Sequence, residues 1–100
     1  MAILTEEEFS KHIGTEFRAD VDEHEVNLTL TEVKPYMPEQ ARQSNMERFS
    51  LFFAGPPDVF LPQQNFHIRH DSMGEFDIFL VPIRSDERGF SYEAVFNYFK

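Results

Sequence analysis

Two stretches decide the fold: Arg48-Phe-Ser-Leu-Phe-Phe-Ala54 and Phe90-Ser-Tyr-Glu-Ala-Val-Phe-Asn-Tyr-Phe99. Successive side chains of a strand point to opposite faces, so positions i, i+2 and i+4 line one side. In the first stretch Phe49, Leu51 and Phe53 share a face and Phe52 takes the other. In the second, Phe90, Tyr92, Ala94, Phe96 and Tyr98 share a face, with Glu93, Val95, Asn97 and Phe99 opposite. Both read as strands with bulky apolar groups on each side. The segments between them continue the alternation. Phe66, Ile68 and His70 alternate with His67 and Arg69. Phe76, Ile78 and Leu80 oppose Asp77, Phe79 and Val81. Gly55-Pro-Pro57, Asp71-Ser-Met-Gly74 and Arg84-Ser-Asp-Glu-Arg-Gly89 read as turns. The short apolar Val59-Phe60-Leu61 ends at Pro62, a bend or an edge.

The first third adds a hairpin and a helix. Thr5 and Glu8 fit a capping box, Leu4 and Phe9 a hydrophobic staple, and Glu6, Glu7 and Glu8 suit the positive end of the helix dipole. The expected helix covers about residues 6–13. Phe9 and Ile13 lie on one face of it, and Gly14 stops it. Phe17, Ala19 and Val21, then Val26, Leu28 and Leu30, alternate with polar residues around Asp22-Glu-His-Glu25, which predicts an antiparallel hairpin with one wet face. Lys34 to Met46, with Pro35, Pro38 and a polar run, reads as a long loop holding one helical turn at most.

One helix and six strands with short links predict a mainly β (α+β) fold: an antiparallel six-stranded small barrel or two-sheet sandwich with one short N-terminal helix. One hundred residues make one domain, 1–100. The second face of the aromatic strands needs a cover. Phe52, Phe79, Val81, Val95 and Phe99 are the interaction candidates, and the N-terminal helix is expected to shield part of that face, leaving the rest for a protein partner or a second copy. The edge of the last strand is a further place for another chain to pair.

Composition narrows the chemistry. The chain has 18 acidic against 9 basic residues, a formal charge of −9 with scattered cations. That disfavours nucleic acid, which needs clustered Lys and Arg, and an anionic membrane surface. It suits solubility or a basic partner. With no Cys, disulfides and thiolate chemistry are excluded. The first residues lack a signal peptide's basic and long apolar regions, and no stretch reaches membrane-spanning length, so a cytoplasmic protein without membrane insertion is expected.

No constellation marks a reaction. His67-Ile-Arg-His70-Asp71 is the nearest to a metal cluster, but two His at i and i+3 on a strand face opposite ways. The plainer reading is one outward His and one strand-end His bonded to its turn. Asp20-Val-Asp-Glu-His-Glu25 has the charge of a calcium loop without its glycine or spacing. There is no nucleophile elbow, phosphate loop or dinucleotide fingerprint. Glu93, inside an apolar strand, is expected to meet water or one of Arg48, Arg69 and Arg84. The reading is therefore non-enzymatic, with no catalytic, metal or cofactor residues assigned.

Phe49-Ser-Leu-x-Phe-x-Gly-Pro56, Leu61-Pro-Gln63, His70-x-x-x-Gly74, the strand ending Val81-Pro82, and Tyr92-Glu-Ala-Val-Phe-Asn97 resemble a family of short, uncharacterised bacterial proteins. Phe9…Gly14-x-x-Phe17 and Leu28-x-Leu30 extend the match over most of the chain. Gln64 and Phe66 stand where the family tends to have Gly and Tyr. The resemblance implies a phage-tail or tail-collar gene neighbourhood and supplies no catalytic residues. The expected function is a structural or protein-interaction module in a phage-tail-like or secretion-linked assembly. The alternative is a small-ligand-binding β-barrel carrier.

Overall fold

The computed structural model describes residues 4–36, 39, 43 and 45–99, residue 99 by its backbone alone. A helix α1 (Glu6–Ser10) precedes six strands: β1 (Glu16–Val21), β2 (His24–Pro35), β3 (Met46–Gly55), β4 (Gln64–His70), β5 (Gly74–Asp86) and β6 (Gly89–Phe99). Every pairing is antiparallel and the sheet closes on itself in the order β1-β2-β3-β6-β5-β4. The mainly β class, the six antiparallel strands and the short N-terminal helix are as the alternation predicts.

Two long strands explain how so small a sheet closes. The first part of β2 pairs with β1, from Val21↔His24 to Glu16↔Thr29, and its second part pairs with β3, from Thr29↔Ala54 to Pro35↔Phe49. In the same way β5 pairs with β4 up to Leu80 and with β6 from Val81 onward. Just past each change of partner the register slips by one residue, between Leu30 and Glu32 and between Pro82 and Arg84. Such bulges bend a strand and let it pass from one sheet into another. The molecule is thus two half-sheets, β2-β1-β4-β5 and β2-β3-β6-β5, sharing their outer strands.

This corrects the expectation of a β-barrel. The β1–β4 seam holds only Arg18↔Arg69 and Ala19↔Ile68, whereas β3 and β6 pair without a break from Met46↔Phe99 to Gly55↔Phe90. The result is a closed sheet folded at two corners, not an evenly paired cylinder. The strands also outrun their predicted ends. Pro35 and Pro82 look like breakers, yet Pro35 ends β2 and Pro82 lies next to a bulge, both places where a missing N–H is tolerated. Six of the thirteen positions of the expected 34–46 loop lie outside the described residues, and strands claim both its ends.

The inner face is the core. Phe17, Ala19, Leu28, Leu30, Phe49, Leu51, Phe53, Ile68, Leu80, Tyr92 and Ala94 are all essentially unexposed. Two chain segments close the ends of this interior. At one, α1 inserts Phe9, whose ring meets Phe17, Phe49, Phe76 and Phe96 at centroid distances of 5.6–6.2 Å. Toward the other, Val59-Phe60-Leu61 is no strand. Instead Leu61 is fully buried and its N–H donates to the Tyr92 hydroxyl at 3.0 Å. Burial pushes the Tyr92 phenol up in pKa, against the opposing effect of that bond. Gly89 permits the closure beside it: its φ is +140°, and a Cβ there would overlap the backbone of Gly55.

The helix differs from its predicted form in length and in task. The Thr5 cap forms, its hydroxyl accepting from Glu8 N–H at 3.2 Å. The helix nevertheless ends at Ser10, because a turn through residues 11–14 carries the chain into β1, with Gly14 N–H donating to Leu30 O. Ile13 therefore leaves the Phe9 face and is exposed. So short a helix has no stability of its own. It is held by burying Phe9 inside the sheet, and so it plugs an end of the core and does not cover the outer aromatic face.

Candidate functional site

With the helix committed to the interior, the outer faces of the two half-sheets are the available surface, and they differ in kind. On β1, β4 and the first part of β5 most outward residues are charged, and the cations among them are paired, with Asn65 and Phe79 as the uncharged exceptions. Arg18 donates to Asp71 at 2.8 Å and Arg69 to Asp20 at 3.1 Å. His67 is held between two carboxylates, Nε2 to Glu75 at 2.8 Å and Nδ1 to Asp77 at 2.9 Å. Hydrogen bonds to Glu75 and then Asp77 raise the His67 pKa, and the His67 bond lowers that of Glu75. The Arg18 guanidinium likewise holds Asp71 below the usual carboxylate range. Because each imidazole nitrogen of His67 is already committed to its own acid, the arrangement is an ion-pair cluster and not a ligand set. No group of three or more His, Asp or Glu side chains poised for a metal ion occurs among the described residues.

The outer face of β2, β3 and β6 mixes charged and apolar residues and carries a groove whose exposed surface is mainly apolar. Its cross-strand rows run Glu32, Phe52, Glu93, Val81 and Lys34, Ser50, Val95. Lys34, Pro35, Tyr36, Ser50, Phe52, Glu93 and Val95 line a groove of about 380 Å³. Val95 is 64% exposed and Tyr36 58%, while Phe52 and Val81 are half-buried. Glu93 makes no ion pair among the described residues. The expected arginine partners are elsewhere, with Arg69 on Asp20 and Arg48 donating to Asn97 at 3.3 Å.

Of the five interaction candidates, Phe52 and Val95 line the groove and Val81 adjoins it opposite Glu93. Phe79, 45% exposed, sits where β5 is paired with β4 and so on the neighbouring half-sheet. The side chain of Phe99 lies outside the described residues. Sequence reasoning missed Lys34 and Tyr36, which it placed in a loop. The signal was present: Val33 is out of phase with Val26, Leu28 and Leu30, as a bulge at Thr31 requires, and it faces the core while Glu32 and Lys34 turn outward.

His70 is the buried member of the His pair, as opposite-facing positions demand. It is 6% exposed. Nδ1 accepts from the N–H groups of Ser72 and Met73, both at 3.1 Å, and Nε2 lies 2.9 Å from Thr15 Oγ1. It is bonded to its turn, and it also ties β4 to the segment between α1 and β1.

The fold and its surfaces define a small closed antiparallel β domain, plugged by a helix and bearing one apolar outer groove. The chain belongs to the family described as Domain of unknown function (DUF6916), whose model matches residues 4–96. No curated protein and no solved structure matches it. The family's description names no assembly and no activity, and with no relative to carry it the phage-tail-like expectation is withdrawn. Among the described residues no helix is long and apolar enough to cross a membrane.

Proposed function

We propose that this domain is a non-catalytic protein-interaction module that docks a protein partner on the outer face of β2, β3 and β6. The observation that supports this reading is the groove itself: Phe52, Val95 and Tyr36 surround Glu93, a carboxylate with no ion pair among the described residues. Apolar side chains beside Glu93, with Glu32 next to Phe52 and Lys34 at the groove's edge, fit a partner that inserts an apolar side chain beside a Lys or Arg, and the net charge of −9 favours approach of such a cationic surface. Self-association is less well supported, since two copies would bring like charge together. A ligand carrier is less well supported too, because the interior is occupied by Phe9, Phe17, Phe49 and Phe53. The test is affinity capture from the source cells with wild-type, Val95→Lys and His67→Ala baits, with light scattering over a concentration series for self-association. A specific protein retained by wild type and His67→Ala but lost by Val95→Lys is expected. Equal retention by all three baits, or loss on His67→Ala alone, would move the surface away from the groove.

A further inference from the structure

The ties of His70 join the β4–β5 turn to the segment between α1 and β1. The two backbone N–H groups fix Nδ1 as an acceptor, so the proton of the neutral ring is on Nε2. Nε2–H then donates to Thr15 Oγ1, and the Thr15 hydroxyl donates to His12 O at 2.6 Å. The chain of bonds is complete and leaves no room for a second proton on the ring. We propose that His70 is an acid-sensitive latch on the β4–β5 turn: as a neutral imidazole it receives the Ser72 and Met73 N–H groups, and protonation at Nδ1 releases them while Nε2–H keeps its bond to Thr15.

A proton taken from solvent at Nδ1 occupies the lone pair that receives Ser72 and Met73 and turns an acceptor toward two donors. The surroundings add to the cost of a cation. The ring packs at a tilt against Phe17, with centroids 4.2 Å apart, and the His12 ring from the α1–β1 turn is 4.7 Å away. Of the charged groups around it, Asp71 favours the cation but is itself paired with Arg18 of β1. Glu8 of α1 faces His12, at 3.6 Å, and not His70, and Lys11 is paired with Glu8. Burial and then His12 accordingly lower the His70 pKa. The Ser72 and Met73 N–H groups report whether the latch is closed, and the backbone pairs Gly14 N–H to Leu30 O and Leu30 N–H to Thr15 O, which protonation at Nδ1 leaves in place, serve as the reference.

The experiment is amide exchange by NMR on the full chain between pH 7.5 and 5, corrected for intrinsic rates, with ring ¹⁵N shifts to read the tautomer. The opening constant at Ser72 and Met73 is expected to rise by up to about tenfold per pH unit below about pH 6.5, the limit for uptake of one proton, while Gly14, Leu30 and the β3–β6 amides stay protected. His70→Asn keeps an oxygen able to accept from Ser72 and Met73 and removes the titrating group, so it should abolish that pH dependence. An Nδ1–H tautomer, an unchanged slope in His70→Asn, or Ser72 and Met73 opening only together with the β3–β6 amides would each overturn the latch. Should His70→Asn not fold, the tautomer and the wild-type slope still decide.

Discussion

The two half-sheets share one core and show the solvent two different surfaces. On β1, β4 and the first part of β5, every outward cation described has an acid partner: Arg18 with Asp71, Arg69 with Asp20, and His67 with Glu75 and Asp77. On β2, β3 and β6, the outward positions include Phe52, Val95 and Glu93, which makes no ion pair among the described residues. The paired charges of the first face satisfy one another, whereas the second leaves apolar side chains exposed. The proposed docking surface rests on that difference, and each of the following measurements presses on it.

The largest effect is expected across the thickness of one strand. Phe53 is buried on the inner side of β3, against Phe17 at 5.4 Å, and Phe52 is its outward neighbour. Phe53→Ala should cost about 3–5 kcal/mol in urea melts, whereas Phe52→Ala, at a half-exposed surface position, should cost about 1 kcal/mol or less. Comparable losses would mean that the groove is part of the core. Phe9→Ala should match Phe53→Ala at about 3–5 kcal/mol, because the ring fills the end of the interior. A small effect would return the helix to the outer face.

Next in size is the pH dependence, where the two histidines act with opposite sign. The folded pKa of His67 is raised, so its contribution is present below its unfolded value of about 6.5 and is lost as pH rises through the folded value. The folded pKa of His70 is lowered, so the fold is at full strength above about pH 6.5 and weakens as pH falls toward the folded value. Urea midpoints from pH 5 to 8.5 should therefore lose their alkaline-side decline in His67→Gln and part of their acid-side decline in His70→Asn. Identical profiles would remove the distinction between outward and buried His. Smallest of all is Arg69→Ala, which breaks the pair with Asp20 on the exposed charged face. Its stability should lie within about 1 kcal/mol of wild type.

The alternation of Phe49 to Phe53, Phe66 to His70 and Phe76 to Leu80 made the strands and their inner face legible, because a half-buried strand repeats with a period of two. The capping box at Thr5 marked the helix start for the same local reason. What the pattern could not carry was anything dependent on a change of partner. The bulges at the β2 and β5 corners reverse the phase of the alternation, so Lys34 and Tyr36 read as a loop and Pro82 as ending a strand. Helix length was missed because Gly14 is only a stop signal, whereas the turn is set by pairing with Leu30. The groove was half legible: Phe52 and Val95 stood out as apolar on the outward side, but Glu93, Lys34 and Tyr36 join them only through cross-strand neighbours remote in sequence.

The central claim, that the apolar half-sheet and not the charged one receives the partner, is tested most directly by the binding strength of the captured protein to surface variants. Val95→Lys should weaken binding at least tenfold, the effect of losing about 1.4 kcal/mol at an interface, and His67→Ala should leave it unchanged. Unchanged binding by Val95→Lys with loss on His67→Ala would contradict the account.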